Sequence, residues 1–162
     1  MPTISSQEIM FKAFEPKVQN RFIMYVEDIP TYMIKGVSAP NFQDGQIKLD
    51  HINSYRKIRG GQREWQDMTL NLYDPISPSG AAVVMDWAKQ GFESVTGRAG
   101  YSDMYKKDLT FNILGPVGDI VGEWLIKGAF VKSSNFGSYN WSSFEAVDVQ
   151  LSIGMDMCIL NY

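Results

Sequence analysis

Imidazole is the scarcest reactive group in this chain, since His51 is its single histidine. Any triad or dyad that needs an imidazole base must use it, yet it sits in an alternating stretch with no serine or cysteine at motif spacing. The sequence therefore reads His51 as structural. Cys158 is the single cysteine, so the chain can form no internal disulfide and no cysteine-based zinc site. Asp148 and Asp156 fall on one side of an alternating segment. Their separation is about 26 Å along an extended strand, too far for the two to act together as acid and base. Neither a G-x-x-x-x-G-K-[ST] loop nor a G-x-G-x-x-G turn occurs. The expectation is a chain with no cofactor, no metal and no enzymatic activity. A hydrolase assembled from carboxylates distant in the chain is the enzyme alternative, because spacing says nothing about residues that folding brings together.

Binding chemistry is better represented. Arg56, Lys57, Arg59 and Arg63 surround Gly60 and Gly61, read as a turn, with Tyr55 and Trp65 as possible stacking groups. Such a run can grip phosphate, or it can be a charged hairpin tip that meets acid on a neighbouring subunit. The formal net charge of −3 and pI near 5.1 favour the second reading. Lys106 and Lys107 read as a solvated strand start. Trp65, Trp87, Trp124 and Trp141 are spread over separate segments, which suits core and interface packing better than a sugar-binding platform. Trp124, Phe130 and Phe136 lining an apolar pocket would make a small-ligand-binding β-barrel, a monomer. The closing segment alternates Val147, Val149, Leu151, Ile153 and Met155 against Asp148, Gln150, Ser152 and Asp156. Its polar face is a solvent-facing sheet or, if copies close a ring, the wall of a wet lumen with Asp148 and Asp156 as negative bands.

These groups need elements to hold them. Residues 1–20 read as a polar arm broken at Pro16. Strands follow at about 21–26 and 31–37, taken together as a hairpin, and then an extended arm at about 44–63 that leaves the body. Met68, Leu70 and Leu72 alternate with Asp67, Thr69 and Asn71 as in a half-buried strand. Ser77 and Pro78 open a helix at about 78–96, with Val84, Trp87, Ala88, Phe92 and Val95 as its stripe and Gly97 as its stop. Further strands run at about 108–114, 121–132 and 145–156. With 44% hydrophobic residues in 162, this is one domain with a real core. The class is α+β, mainly β: an antiparallel β-sandwich or barrel with one packed helix. The start, MPTISSQEIMFKAF, has no charged and apolar leader pattern, and no apolar run is long enough to span a bilayer, so no stable membrane association is expected.

The order of these segments resembles the tail-tube proteins of T-even-type contractile phages, a family found also in extracellular contractile injection systems. The likeness runs from about residue 18 to 157 through VQNRFIMYVE, KGVSAP before the excursion, GGQREWQDMTLNLYD, the helix ending VMDWAK, EWLIKGAFVKS and FEAVDVQLSIGMD. It implies hexameric rings whose inner sheets join into one barrel and stack into a hollow tube inside a contractile sheath. Asp44, Lys48, Asp50, Arg56, Lys57, Arg59 and Arg63 would then make contacts between rings or subunits, and Asp148, Gln150, Ser152 and Asp156 would face the lumen. The implied partners are other copies of the chain, the sheath, a tape-measure protein and baseplate or tail-terminator proteins. Double-stranded DNA would pass without specific binding. The implied location is the virion, after assembly in the host bacterial cytoplasm. A minor tube-initiating or baseplate ring protein of the same machine is the alternative. The longer N-terminal arm and the tail at 157–162 depart from the family.

Overall fold

The computed structural model describes residues 15–162. Most of the expected N-terminal arm lies outside them. Among the described residues nine strands, β1 (Phe22–Tyr25), β2 (Ile34–Val37), β3 (Phe42–His51), β4 (Ser54–Trp65), β5 (Met68–Tyr73), β6 (Lys107–Leu114), β7 (Ile120–Asn135), β8 (Asp148–Gly154) and β9 (Met157–Leu160), are joined by helices α1 (Gly80–Gly91) and α2 (Ser102–Tyr105). All pairings are antiparallel. The mainly β class read from the alternation is therefore correct.

The body is a seven-stranded sheet, six strands in the order β1-β6-β7-β8-β5-β2 and β9 off that path on β7. Its two layers share β7, a strand of 16 residues. The first part of β7 pairs with β6 and β9, and the part from Phe130 onward pairs with β8. The pivot is Gly128, at φ 66°, where a side chain would land on the carboxylate of Asp156. Glycine is required there for both reasons. Between the layers, Met24, Leu109, Phe111, Ile126, Ala129 and Cys158 meet Met68, Leu70, Leu72, Val149, Leu151 and Ile153. Alternation works because successive side chains point to opposite faces, so the polar residues of β5 and β8 stay outside.

Several sequence expectations need correcting. β1 and β2 are not a hairpin: β1 pairs with β6 and β2 with β5, at opposite ends of the path. A short 3₁₀ turn at Thr31–Met33 takes up the start of the expected second strand. The helix begins later, because Ser79 and not Ser77 is its N-cap, and Asp74 Oδ1 accepts from the amides of Gly80 at 3.0 Å and Ala81 at 3.4 Å. It also ends earlier. Phe92 is extended and bridges to Ala99, so Val95 continues the apolar period in sequence yet is exposed. Val84 and Trp87 do the burying, and the Trp87 indole donates to the Tyr105 carbonyl at 2.8 Å. Gly60 and Gly61 are no turn. They form a bulge within β4 opposite Gly45, where Asp44 pairs with Arg63 and Gln46 with Arg59. The hairpin turns at Ile52 and Asn53. The tail at 157–162, which the sequence left unassigned, supplies β9 on the edge of the first layer.

Candidate assembly surface

The paired strands β3 and β4 leave the body as an arm with nearly every residue exposed. Such a hairpin cannot bury its own faces. Asp44 is its electrostatic anchor: Arg63 Nε donates to Oδ1 at 2.8 Å and Arg59 Nε to Oδ2 at 3.0 Å. The hydrogen bond from Arg63, helped by Arg59, holds the Asp44 carboxyl at about 2, well below the usual range. Three of the charged residues expected between subunits are thus engaged with each other inside one chain. Lys48 approaches Asp50 at 3.5 Å and lies over the Tyr55 ring at 4.6 Å. Lys57 lies over that ring at 5.6 Å. Arg56 sits opposite Leu49 in the register. The basic residues therefore line the shaft of the arm, whose tip is Ile52, 100% exposed. His51 pairs with Ser54 beside that tip.

The outer face of the second layer is mostly polar, with the half-exposed Tyr73 ring at one end. In register across it stand Gly36, Asn71, Gln150 and Asn135, and next to them Thr69, Ser152 and Ser133. Asp148 lies at the end of this face, where Lys35 Nζ meets its Oδ2 at 2.5 Å. That hydrogen bond raises the Lys35 ammonium. Asp156 is elsewhere. It falls after β8, in the bend before β9, and accepts from Lys106 Nζ at 2.9 Å. The expected pair of negative bands on one strand face is therefore corrected: one carboxylate is paired with an ammonium, and the other is off the strand. What remains is mainly a surface of amides and hydroxyls, with the Tyr73 ring beside Asp148.

Lys107 also differs from expectation. It is 7% exposed, with Nζ 2.6 Å from Asp28 Oδ2 and 5.4 Å from the centre of the Trp87 ring. Lys106 is partly covered as it reaches Asp156. The aromatic trio proposed for a ligand pocket is dispersed. Trp124 stands between Phe111 and Leu160 in the first layer. Phe130 lies at the bend over Gly154 and against Tyr105, and Phe136 packs on the core after β7 ends. Among the described residues no group of His, Cys, Asp or Glu is arranged to hold a metal ion, and no helix is long and apolar enough to cross a membrane.

Two further surfaces bear on assembly: the strand edges that an open sandwich is expected to leave, and a loop that the sequence did not mark as a surface. The first is the strand edges: among the described residues β1, β2, β9 and the final part of β7 each have a side without a partner strand. Unpaired edges expose rows of donors and acceptors that another strand can complete. The second is the loop between β7 and β8, where Tyr139, Trp141 and Phe144 are exposed, the last two fully. Its only sequence signal is aromatic residues set among Gly, Ser and Asn, with no period.

The geometry defines a class, an open two-layer β body with a projecting hairpin arm. No protein-family model matches the chain, and no curated protein matches it. Solved structures do. A chain of the sheath/tube terminator of an extracellular contractile injection system, PVC, in the extended state is similar at TM-score 0.72 and 21% identity, over 92% of this chain and 99% of that one. The anti-feeding prophage tube-terminating cap is similar at TM-score 0.73 and 19% identity, over 92% and 93%. A chain of the PVC sheath–tube complex is similar at TM-score 0.70 and 21% identity, over 98% and 99%. The chain thus has the fold found in the tube, terminator and cap assemblies of contractile injection systems.

Proposed function

We propose that this chain is a structural, non-catalytic subunit of a hollow tube in a contractile injection machine, built as rings that stack end to end. The observation that carries the reading is the set of unpaired strand edges on a body with this fold. Identical neighbours can continue the second layer from the final part of β7 in one copy to β2 in the next, satisfying both edges. Six copies closing in this way would make one continuous inner barrel.

In that barrel the face carrying Gln150 and Ser152, with Asp148 at its end, lines the lumen. Amide and hydroxyl groups offer a passing polymer no strong attraction, and pairing with Lys35 mutes the Asp148 charge. Double-stranded DNA, in a phage tail, or another cargo, in an injection particle, passes without specific binding. The sheath surrounds the tube, a tape-measure protein occupies it during assembly, and baseplate and terminator proteins close its ends. The likeness to a terminator and a cap supports a second reading, a ring that ends the tube. Surfaces at both ends of the second layer favour the repeating subunit, since a terminal ring needs only one.

Negative-stain microscopy of the purified chain at high concentration tests the proposal. Rings and tubes are expected; only monomers would overturn it. Counting copies per particle separates the repeating subunit, present in many rings, from a terminator, present in one.

A further inference from the structure

The two surfaces that the fold leaves uncovered stand at opposite ends of the same sheet. The chain leaves the second layer after Val37 of β2 and re-enters it at Met68 of β5, two points joined by the bond from the Ser38 amide to the Thr69 carbonyl at 2.9 Å. That end carries the arm. The β7–β8 loop lies at the other end, where Asp148 pairs with Tyr73 and the Asp74 amide donates to the Val147 carbonyl at 3.3 Å. Strands in a barrel run within about 35–45° of its axis, so the two ends point in opposite directions along a tube. Rings stacked with one polarity bring the arm end of each against the loop end of the next.

Their chemistry is complementary. One face of the arm sets Ile47 opposite Ile58, both about half exposed, and Ile52 stands fully exposed at the tip. Beyond the bulge, residues 46–58 carry Lys48, Arg56 and Lys57 against one acid, Asp50. The loop presents Tyr139, Trp141 and Phe144, and Glu145 is the single charged residue in 136–147. Its base is fixed by Phe136 on the core and by Gly137 at φ 84°, while Asn140 Oδ1 accepts from the Ser142 amide at 3.0 Å. Aromatic rings held in the open by a folded loop are an unfilled contact. β3, with 10 residues, reaches roughly 30 Å, enough to cross into an adjoining ring.

We propose that the aromatic loop at 138–146 of one copy is the docking site for the arm of a copy in the adjoining ring, with the apolar face of the arm on Trp141 and Phe144 and its basic shaft toward Glu145. This rests on the tube reading and adds the receptor to it. Each chain is then plug at one end and socket at the other, a heterologous contact that propagates without closing.

The test is a double variant, Asn53→Cys with Ser138→Cys, treated with a short bismaleimide and run on a denaturing gel. Cys158 stays silent, because burial raises its thiol to about 11. A ladder of covalent oligomers running past the number of copies in one ring is expected, with neither single variant giving more than dimers. A ladder that stops at the ring size, a crosslink within one monomer, or tubes that form without crosslinks each overturn the docking assignment and leave the tube reading standing. Native protein that forms no rings overturns the tube reading itself. As a second arm, Trp141→Ala with Phe144→Ala should leave Tm unchanged, leave single rings intact and shorten tubes by about tenfold or more. Tubes of native length would refute the assignment.

Discussion

Gly128 decides whether the two layers can share β7, so Gly128→Ala is the most informative single change in the body. Alanine at φ 66° carries a left-handed penalty of about 1–2 kcal/mol. Its methyl also collides with Asp156, whose Cγ lies 2.6 Å and Cβ 3.1 Å from where it would sit. Forcing the carboxylate aside adds an overpacking cost of about 1–3 kcal/mol, including the loss of the Lys106 pair. The expected total is about 2–5 kcal/mol. Asp156→Ala alone removes only a largely exposed ion pair, worth up to about 1 kcal/mol. In the double variant the collision nearly vanishes while the backbone penalty stays. It should therefore be about 1–3 kcal/mol more stable than the two single effects added together. Equilibrium urea unfolding of all four proteins, at concentrations low enough to keep the chain monomeric, measures this directly. Additivity within about 0.5 kcal/mol would refute the geometry at the pivot. Because the pivot sets the angle between the layers, Gly128→Ala should also lower the yield of rings among molecules that remain folded.

The Lys107–Asp28 pair should be asymmetric. Lys107→Met replaces a covered ammonium with an apolar group of similar length and should change stability by less than about 1 kcal/mol. Asp28→Ala strands that ammonium and puts alanine at φ 67°, so it should cost about 1–3 kcal/mol in the same unfolding assay. The reverse order would contradict the pairing. Charge reversal at Arg56 and Lys57 together should leave rings intact and weaken their stacking, read as shorter tubes at physiological salt; adding Arg59→Glu should also loosen the arm, because Arg59 serves Asp44. Asp44 sets a pH limit for the arm. Its carboxyl is depressed from 3.8 to about 2 on folding, so its contribution is complete above about pH 4 and is lost as pH falls toward 2. Carboxyl NMR titration should place its midpoint near 2, and Arg63→Gln should move it up; a midpoint near 3.8 in the native chain would remove the anchor.

Much of the body was legible because a period of two reports which side of a strand is apolar. Met68, Leu70 and Leu72, and Val149, Leu151 and Ile153, announce their burial in the order of letters, and all are core. The arm and the presence of one long helix were equally readable, from charge alternation and from the stripe through Val84 and Trp87. The candidate surface was legible only in part. The basic residues of the arm were visible, but their partners were not, since Asp44 meets Arg63 only if Gly60 and Gly61 bulge and do not turn.

Sequence by itself determined which residues face inward, where an arm leaves the body, and that a lone histidine and a lone cysteine give little to build a reaction on. Tertiary structure alone decided which strand lies beside which, that Lys35 meets Asp148 and Lys107 meets Asp28, that β7 serves both layers, and that arm and aromatic loop stand at opposite ends of one sheet. The physical reason is range: side-chain direction is set by the nearest backbone bonds, whereas pairing joins residues as far apart as Lys35 and Asp148, and many registers share the same local pattern until the core selects one.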